Sequence, residues 1–466
     1  MITFYGHGSP NPHKVALALD EFGLPYKAKV VTVFSGGQFA PESIALNPNG
    51  SVLVIIDNET GRTIDDPKTM EFTNNHEVSK FTCKPTIPDF KQPTGETMKR
   101  QSKSLIYASL VMLATSPVFA EQASPPPGYE ALAKQQAGAN GQAGPRTAPG
   151  KVIQVPTNEV SSQLQTAIGL PYPPHFNAAP ASAEAWKEFI DARAKPSIAA
   201  LPALKERMGV TVEPGVIAGV RVFTVTPKSI PPINQNRLLI HVHGGGYVFG
   251  PGEAALPEAV LMAGFGGFKV ISVDYRMPPD APYPAAVDDA MAVWKEAVKM
   301  AKPQNMAIFG TSTGGAITLA MVLRAKDEKL PLPAAIAPGT PWSDIDKIGD
   351  TYASNEWIDN ALVTWDGWLG RAAKLYANGR DLKDPYISPI YGDFSNFPPS
   401  ILTSGTRDLF LSNTVRTHRK LRRAGVIADL NVYEGMSHGQ YQDVNMPEAR
   451  EVFTDIAQFF DRYLGK

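Results

Sequence analysis

One cysteine, Cys83, in 466 residues rules out a disulfide within the chain and any zinc site built from a cysteine cluster. Histidine is also sparse. The eight present form no H-E-x-x-H pair, so no metal cofactor is expected. Charge of one sign is missing too: 44 Lys and Arg stand against 45 Asp and Glu, which leaves no basic face for a nucleic acid. The apolar run Leu105 to Ala114 is too short to span a bilayer, and no stable membrane insertion is expected. What remains is a globular chain long enough for two or three domains, with an ordinary apolar content of 43%.

The most informative stretch is Gly310-Thr311-Ser312-Thr313-Gly314-Gly315. The strand-like run Met306-Ala307-Ile308-Phe309 leads into it, and Ala316-Ile317-Thr318-Leu319-Ala320 continues as a helix. A G-x-S-x-G match in a strand–turn–helix context suits a nucleophile held on a sharp, strained turn, with glycines removing collisions on either side. Taken by itself the motif also fits a plain glycine-rich turn, so its partners decide. At the end of the run Leu238–Val242 stands His243-Gly244-Gly245-Gly246-Tyr247. Its three glycines let backbone N–H groups approach a ligand, and in an acyl-transfer enzyme those donors would hold the oxyanion, joined by the N–H of Thr313, the residue after the nucleophile. Searching onward in the order Ser, Asp, His finds Asp408 after the run Ser400–Ser404, and His438 after Asp429–Tyr433. In this reading His438 takes the proton of Ser312, and Asp408 orients the imidazole. Rival groups read differently: His418 as a surface helix residue, His241 as a packed core histidine, Asp344 as a helix N-cap.

From Ala181 the chain alternates apolar strands with amphipathic helices, which predicts a mostly parallel sheet covered on both faces. Helices are expected at Ala183–Ala194 and Ile198–Met208. Strands are expected at Val220–Thr226, Leu238–Val242, Lys269–Asp274, Met306–Phe309, Ala334–Ala337, Ser400–Ser404 and Asp429–Tyr433. His243-Gly-Gly-Gly, Val273-Asp274-Tyr275-Arg276, Tyr283-Pro284-Ala285-Ala286-Val287-Asp288-Asp289, the elbow, Asp384-Pro385-Tyr386-Ile387-Ser388-Pro389 and the Asp/His pair occur in order. Together they resemble the hormone-sensitive-lipase family of bacterial type IV esterases over most of 181–466. The resemblance implies an α/β-hydrolase fold with a helical cap, here about 183–208 and 344–381, and no cofactor. It assigns Ser312, Asp408 and His438 as the triad and Gly245, Gly246 and Thr313 as oxyanion donors. Family members usually carry Ala where this chain has Thr313, which is expected to narrow the cleft. The aromatic residues Tyr247, Phe249, Trp342, Trp357, Trp365 and Trp368 suggest an apolar pocket, part of them serving as core. The expected activity is a serine carboxylesterase acting on uncharged short- to medium-chain esters, with a lactone or aryl-ester hydrolase of the same mechanism as the alternative.

Residues 1–61 read as β-α-β-β: Ile2–Tyr5, a helix from Pro12 to Phe22, Lys27–Phe34 and Val52–Ile56. Ser9-Pro10-Asn11-Pro12-His13-Lys14-Val15 and Asn47-Pro48-Asn49-Gly50 resemble the thioredoxin-like N-terminal half of glutathione transferases. The family's cis-proline is replaced by Leu53, its Glu-Ser pair by Ile64-Asp65-Asp66-Pro67, and its helical second domain is absent. A glutathione-dependent transferase or thiol-binding module is therefore the competing reading from another class, carried by a partial segment. Residues 62–97 read as an irregular linker and 121–180 as an Ala/Gly/Pro-rich linker. Between them, 98–120 has the basic start, short apolar centre and small residues before Ala120 of a secretory signal peptide; a buried core helix is the alternative. Translation from Met98 would place the enzyme in the periplasm or outside the cell, and a fused N-terminal segment that blocks export would leave it in the cytoplasm. A small-molecule ester is the expected partner, and a homodimer is compatible with the sequence.

Overall fold

The computed structural model describes residues 152–465 together with the backbones of four short strands between Ile2 and Ile64. The chain divides into two compact units, Met1–Ala120 and Glu121–Lys466. In the first, β1 (Ile2–Gly6), β2 (Tyr26–Val30), β3 (Val54–Asp57) and β4 (Arg62–Ile64) form one sheet in the order β2-β1-β3-β4. β1 runs parallel to β2, while β3 is antiparallel to both β1 and β4. β4 carries the sheet three residues beyond Gly61, into what reads from sequence as linker. The expected helix Pro12–Phe22, Leu53, the signal-like segment 98–120 and residues 121–151 lie outside the described residues.

The second unit holds an eight-stranded sheet in the order β12-β11-β10-β9-β7-β8-β6-β5. Its six parallel strands are β7 (Leu238–Val242), β8 (Lys269–Val273), β9 (Met306–Thr311), β10 (Ala335–Gly339), β11 (Ser400–Gly405) and β12 (Ala428–Tyr433). β5 (Val210–Ile217) and β6 (Val220–Pro227) close one side as an antiparallel hairpin. Alternation along the strands feeds two separate cores. On β7 and β9, Ile240 and Ile308 enter one, and Leu239 and Phe309 the other. The first core is completed by α4 (Ala285–Met300) and α5 (Thr313–Asp327), the second by α3 (Pro257–Gly266) and α9 (Pro447–Tyr463). Side chains on opposite pleats thus meet helices on both faces of a mostly parallel sheet.

Three elements depart from the sequence reading. α1 (Ser162–Gly169) lies within the stretch read as linker; Ser161 caps it, and Leu164 and Ile168 are buried in the second core. α2 is one helix, Ala183–Met208, rather than two, with Pro196 and Pro202 inside it. Each proline removes a single N–H, and burial of Trp186, Ile190, Ala194 and Leu201 keeps the axis continuous despite them. β5 was not expected at all: Pro214 and Gly215 interrupt its pattern, which an edge strand tolerates. Among the described residues no helix is long and apolar enough to cross a membrane.

Candidate active site

β9 ends at Thr311, and the next residue, Ser312, has φ 63° and ψ −120° before α5 begins at Thr313. A non-glycine residue held there is strained, and the neighbours explain how it persists. A Cβ on Gly310 or on Gly314 would sit 2.0 Å from the Val242 carbonyl oxygen in either case. The two glycines therefore clear space for the end of β7 as well as for each other, which is a stricter demand than the sequence motif alone implies. Ser312 is 8% exposed, and its hydroxyl has no hydrogen-bond partner among the described residues, His438 included. Its N–H donates to Gly339 O at 2.9 Å, which ties the elbow to the end of β10.

Asp408 and His438 reach the same edge of the sheet from the ends of β11 and β12. His438 Nδ1 lies 2.9 Å from Asp408 Oδ1, which also accepts the Phe410 N–H at 2.8 Å. Asp408 Oδ2 accepts from Ser404 Oγ at 2.8 Å and from the Thr340 hydroxyl. Thr340 Oγ1 is also 3.2 Å from His438 Nδ1. A threonine hydroxyl has one proton, and Thr340 gives it to Asp408, so at Nδ1 it can only accept. The proton on His438 therefore belongs to Nδ1, and Nε2 is the basic nitrogen. Burial alone would lower the pKa of His438, but the charge of Asp408, its hydrogen bond and the charge of Asp359 outweigh this and raise it. Burial would raise that of Asp408, yet His438 and the donors around the carboxylate hold it below the usual range.

The glycine loop follows β7. Gly245 and Gly246 take φ 123° and 62°; a Cβ on the first would meet Phe249 O at 2.3 Å, and on the second Trp368 Cζ3 at 2.6 Å. No N–H of Gly245, Gly246 or Thr313 finds an acceptor among the described residues. Thr313 is the first residue of α5, where helical N–H groups have no partner in the helix and the dipole favours negative charge. His243 anchors the loop from below, with its ring stacked on Tyr275 at 4.1 Å and Nδ1 2.8 Å from Gly244 O. Tyr275 in turn donates its hydroxyl proton to His243 O at 2.7 Å. Burial lowers the pKa of His243 to about 3, so it stays neutral.

Other expectations need correction. The Thr313 side chain is fully buried against Tyr275 and does not narrow the cleft. Asp344 is no N-cap: it is buried, paired with Arg416 at 2.9 Å and accepts from Tyr391 OH at 3.0 Å. His418 is half-buried, with Nε2 3.1 Å from Ala428 O. His241 is a core residue bridging Ser272 and Glu258, as expected. Trp342 and Tyr247 are core, Tyr247 stacked on Tyr376 at 3.6 Å, while Trp357 is 48% exposed. Beside the glycine loop stand Phe249 and Trp368, 4.9 Å apart, with Phe189 of α2 5.1 Å from Phe249. α2 and α7 (Trp368–Ala377) thus meet over the loop. The residue that sequence reasoning missed is Asp359, fully buried behind Asp408. Its local bonds to the N–H groups of Ala361 and Leu362 are those of an ordinary turn, and the bond that ties it to the Asp408 loop, from the Leu409 N–H, comes from fifty residues away.

Comparison with known proteins agrees with this geometry. A family model described as the alpha/beta hydrolase fold matches residues 239–442, and one for the glutathione S-transferase N-terminal domain matches residues 8–68. An ethyl acetate hydrolase of Pseudomonas putida is 30% identical over 241 residues, covering 50% of this chain and 74% of that protein. An acetyl-hydrolase of Streptomyces hygroscopicus is 28% identical over 259 residues, 55% of this chain and 85% of the relative. The crystal structure of an esterase E25 is 42% identical, covers 70% of this chain and 99% of its own, and superposes with a TM-score of 0.65. A hormone-sensitive lipase from a metagenome library is 27% identical over 60% of this chain and 99% of its own, with a TM-score of 0.53. The elbow, the glycine loop and these likenesses converge: the chain belongs to the α/β-hydrolase family, alongside its hormone-sensitive-lipase-type esterases, and is a carboxylic ester hydrolase that carries a glutathione-transferase-like N-terminal segment.

Proposed function

We propose that Ser312 is the nucleophile, His438 the general base and Asp408 its orienting acid, in a serine esterase that passes through an acyl-enzyme. The observation that carries this is the fixed tautomer of His438, whose Nδ1 is committed to Asp408 and Thr340, leaving Nε2 for the serine proton. Ser312 Oγ attacks the ester carbonyl, and Nε2 takes its proton and returns it to the departing alcohol. Water, activated by the same nitrogen, then releases the acid. The N–H groups of Gly245, Gly246 and Thr313 receive the charge developing on the carbonyl oxygen, where a single donor is worth roughly 10²–10³ in rate. The missing Ser312–His438 bond is consistent with this role, since catalytic hydrogen bonds often tighten only once substrate is bound.

The substrates are uncharged esters with acyl chains of about two to eight carbons. The aromatic wall of Phe249 and Trp368 beside the loop favours apolar groups, and two relatives named for acetyl and ethyl acetate hydrolysis favour small ones. A hydrophobic pocket discriminates by only about 1–3 kcal/mol per methylene, so the optimum is broad. Turnover of chromogenic esters of increasing chain length, compared between wild type and Ser312→Ala, tests both statements. The variant should lose roughly 10⁴–10⁶ in kcat while remaining folded, and Asp408→Asn should lose less. Near-normal activity in Ser312→Ala rejects the nucleophile; a kcat/KM still rising at about sixteen carbons rejects the substrate range. The catalytic unit is Glu121–Lys466, and a chain begun at Met98 is exported and cleaved after Ala120.

A further inference from the structure

The turn Asn355–Leu362 belongs to the insertion between β10 and β11, yet its polar groups serve the loops that carry Asp408 and His438. Asn355 Nδ2 donates to the carbonyl oxygens of Asp408 at 2.9 Å and Thr406 at 3.2 Å. Asn360 Oδ1 accepts from Ser437 Oγ at 3.0 Å and Gln440 Nε2 at 2.9 Å, on either side of His438. Between these two asparagines lies Asp359, with no exposed surface. Its Oδ1 accepts the N–H groups of Ala361 at 2.8 Å and Leu362 at 3.1 Å. Its Oδ2 accepts the N–H of Leu409, the residue after Asp408, at 2.8 Å.

A buried carboxylate needs a compensating charge, and among the described residues Asp359 makes no ion pair with lysine or arginine. The charged groups that act on it are Asp408 and His438. Those that act on His438 are Asp408 and Asp359, with the uncharged Thr340 hydroxyl and Phe410 ring as its other close neighbours. We infer that Asp359 is a second acid of the active site, a positioning residue that never touches substrate: it fixes the Asp408 turn through the Leu409 N–H and lends its charge to the imidazolium formed on His438. Burial and then the charge of Asp408 push its pKa up to about 6, while His438 opposes the shift, so Asp359 is ionised at the neutral and basic pH where His438 works as a base. The arrangement also makes the insertion part of the catalytic machinery, because the same turn grips both loops.

The inference rests on the triad reading, and the two are tested separately on the full chain. A serine-directed organophosphate should titrate one equivalent in wild type and none in Ser312→Ala; failure there overturns the triad reading and the inference with it, whereas the Asp359 variants overturn the inference alone. Asp359→Asn should still be titrated, with KM nearly unchanged and kcat down about tenfold. The acid limb of its kcat/KM profile should move down by up to about one pH unit, since one unit corresponds to a tenfold loss of imidazolium stabilisation. Asp359→Glu keeps the charge, so its acid limb should stay at the wild-type position even if kcat falls. An unmoved limb in Asp359→Asn, or an equal shift in Asp359→Glu, overturns the electrostatic role. If Asp359→Asn does not fold, Asp359→Ser is read in the same way, and failure of both neutral variants to fold overturns the inference in favour of a purely structural carboxylate.

Discussion

Thr340 links all three residues read as the triad: its N–H follows the Gly339 carbonyl that holds the Ser312 N–H, and its hydroxyl stands between Asp408 and His438. Its φ of 29° lies outside the ordinary range for a β-branched residue, and strain of this kind persists only where the surroundings impose it. Protonation, not shape, sets the working pH of such a site. A base must be neutral to accept the serine proton, and His438 has its pKa raised above the ordinary 6.5. Activity should therefore fall as pH drops through a value above 6.5, and a kcat/KM profile still flat below 6.5 would contradict the assignment. His243 cannot supply that limb, since burial holds its pKa at about 3 and it stays neutral throughout.

Among the elements, α1 has the largest consequence for its size. Leu164 and Ile168 are its buried face, and Glu448 of α9 accepts both the N–H and the hydroxyl of its cap, Ser161, at 2.9 and 2.8 Å. Burying two such side chains contributes about 3–6 kcal/mol, a large share of the about 5–15 kcal/mol by which most domains are stable. A chain begun at Ala181 should accordingly unfold about 10 °C lower than one begun at Glu121, as followed by thermal melting. Equal midpoints would mean that α1 is dispensable. The helix escaped the sequence reading because eight residues carry only two buried positions, set among prolines and glycines. The elbow and the glycine loop were legible because their constraints are local: adjacent small residues must accept unusual φ values. The unbroken course of α2 was not, since tertiary packing overrode the cost of Pro196 and Pro202. Asp359 was hidden for a related reason. Its function depends on the Leu409 N–H fifty residues away, and no spacing rule encodes that.

At the scale of the whole molecule, hydrolysis and the N-terminal segment are separable. Esterase E25 is matched over 99% of its length by 70% of this chain, so a protein without a counterpart to the remainder already has the hydrolase fold. The unit Glu121–Lys466, produced alone, should hydrolyse a chromogenic ester with kcat/KM within about twofold of the full chain and without added glutathione, because no residue of the proposed site lies before Gly245. Loss of activity in a unit that remains folded would make the first 120 residues a working part of the enzyme. The last consequence comes from β5. An outermost strand offers unpaired backbone groups to any other extended chain, and this is the usual starting point of aggregation. Here Pro214 has no N–H to offer, Glu213 adds an exposed charge beside it, and Gly215 weakens the extended conformation after it. Pairing through that margin meets a missing donor and a charge midway along the strand, so two copies are kept from joining their sheets by their β5 edges.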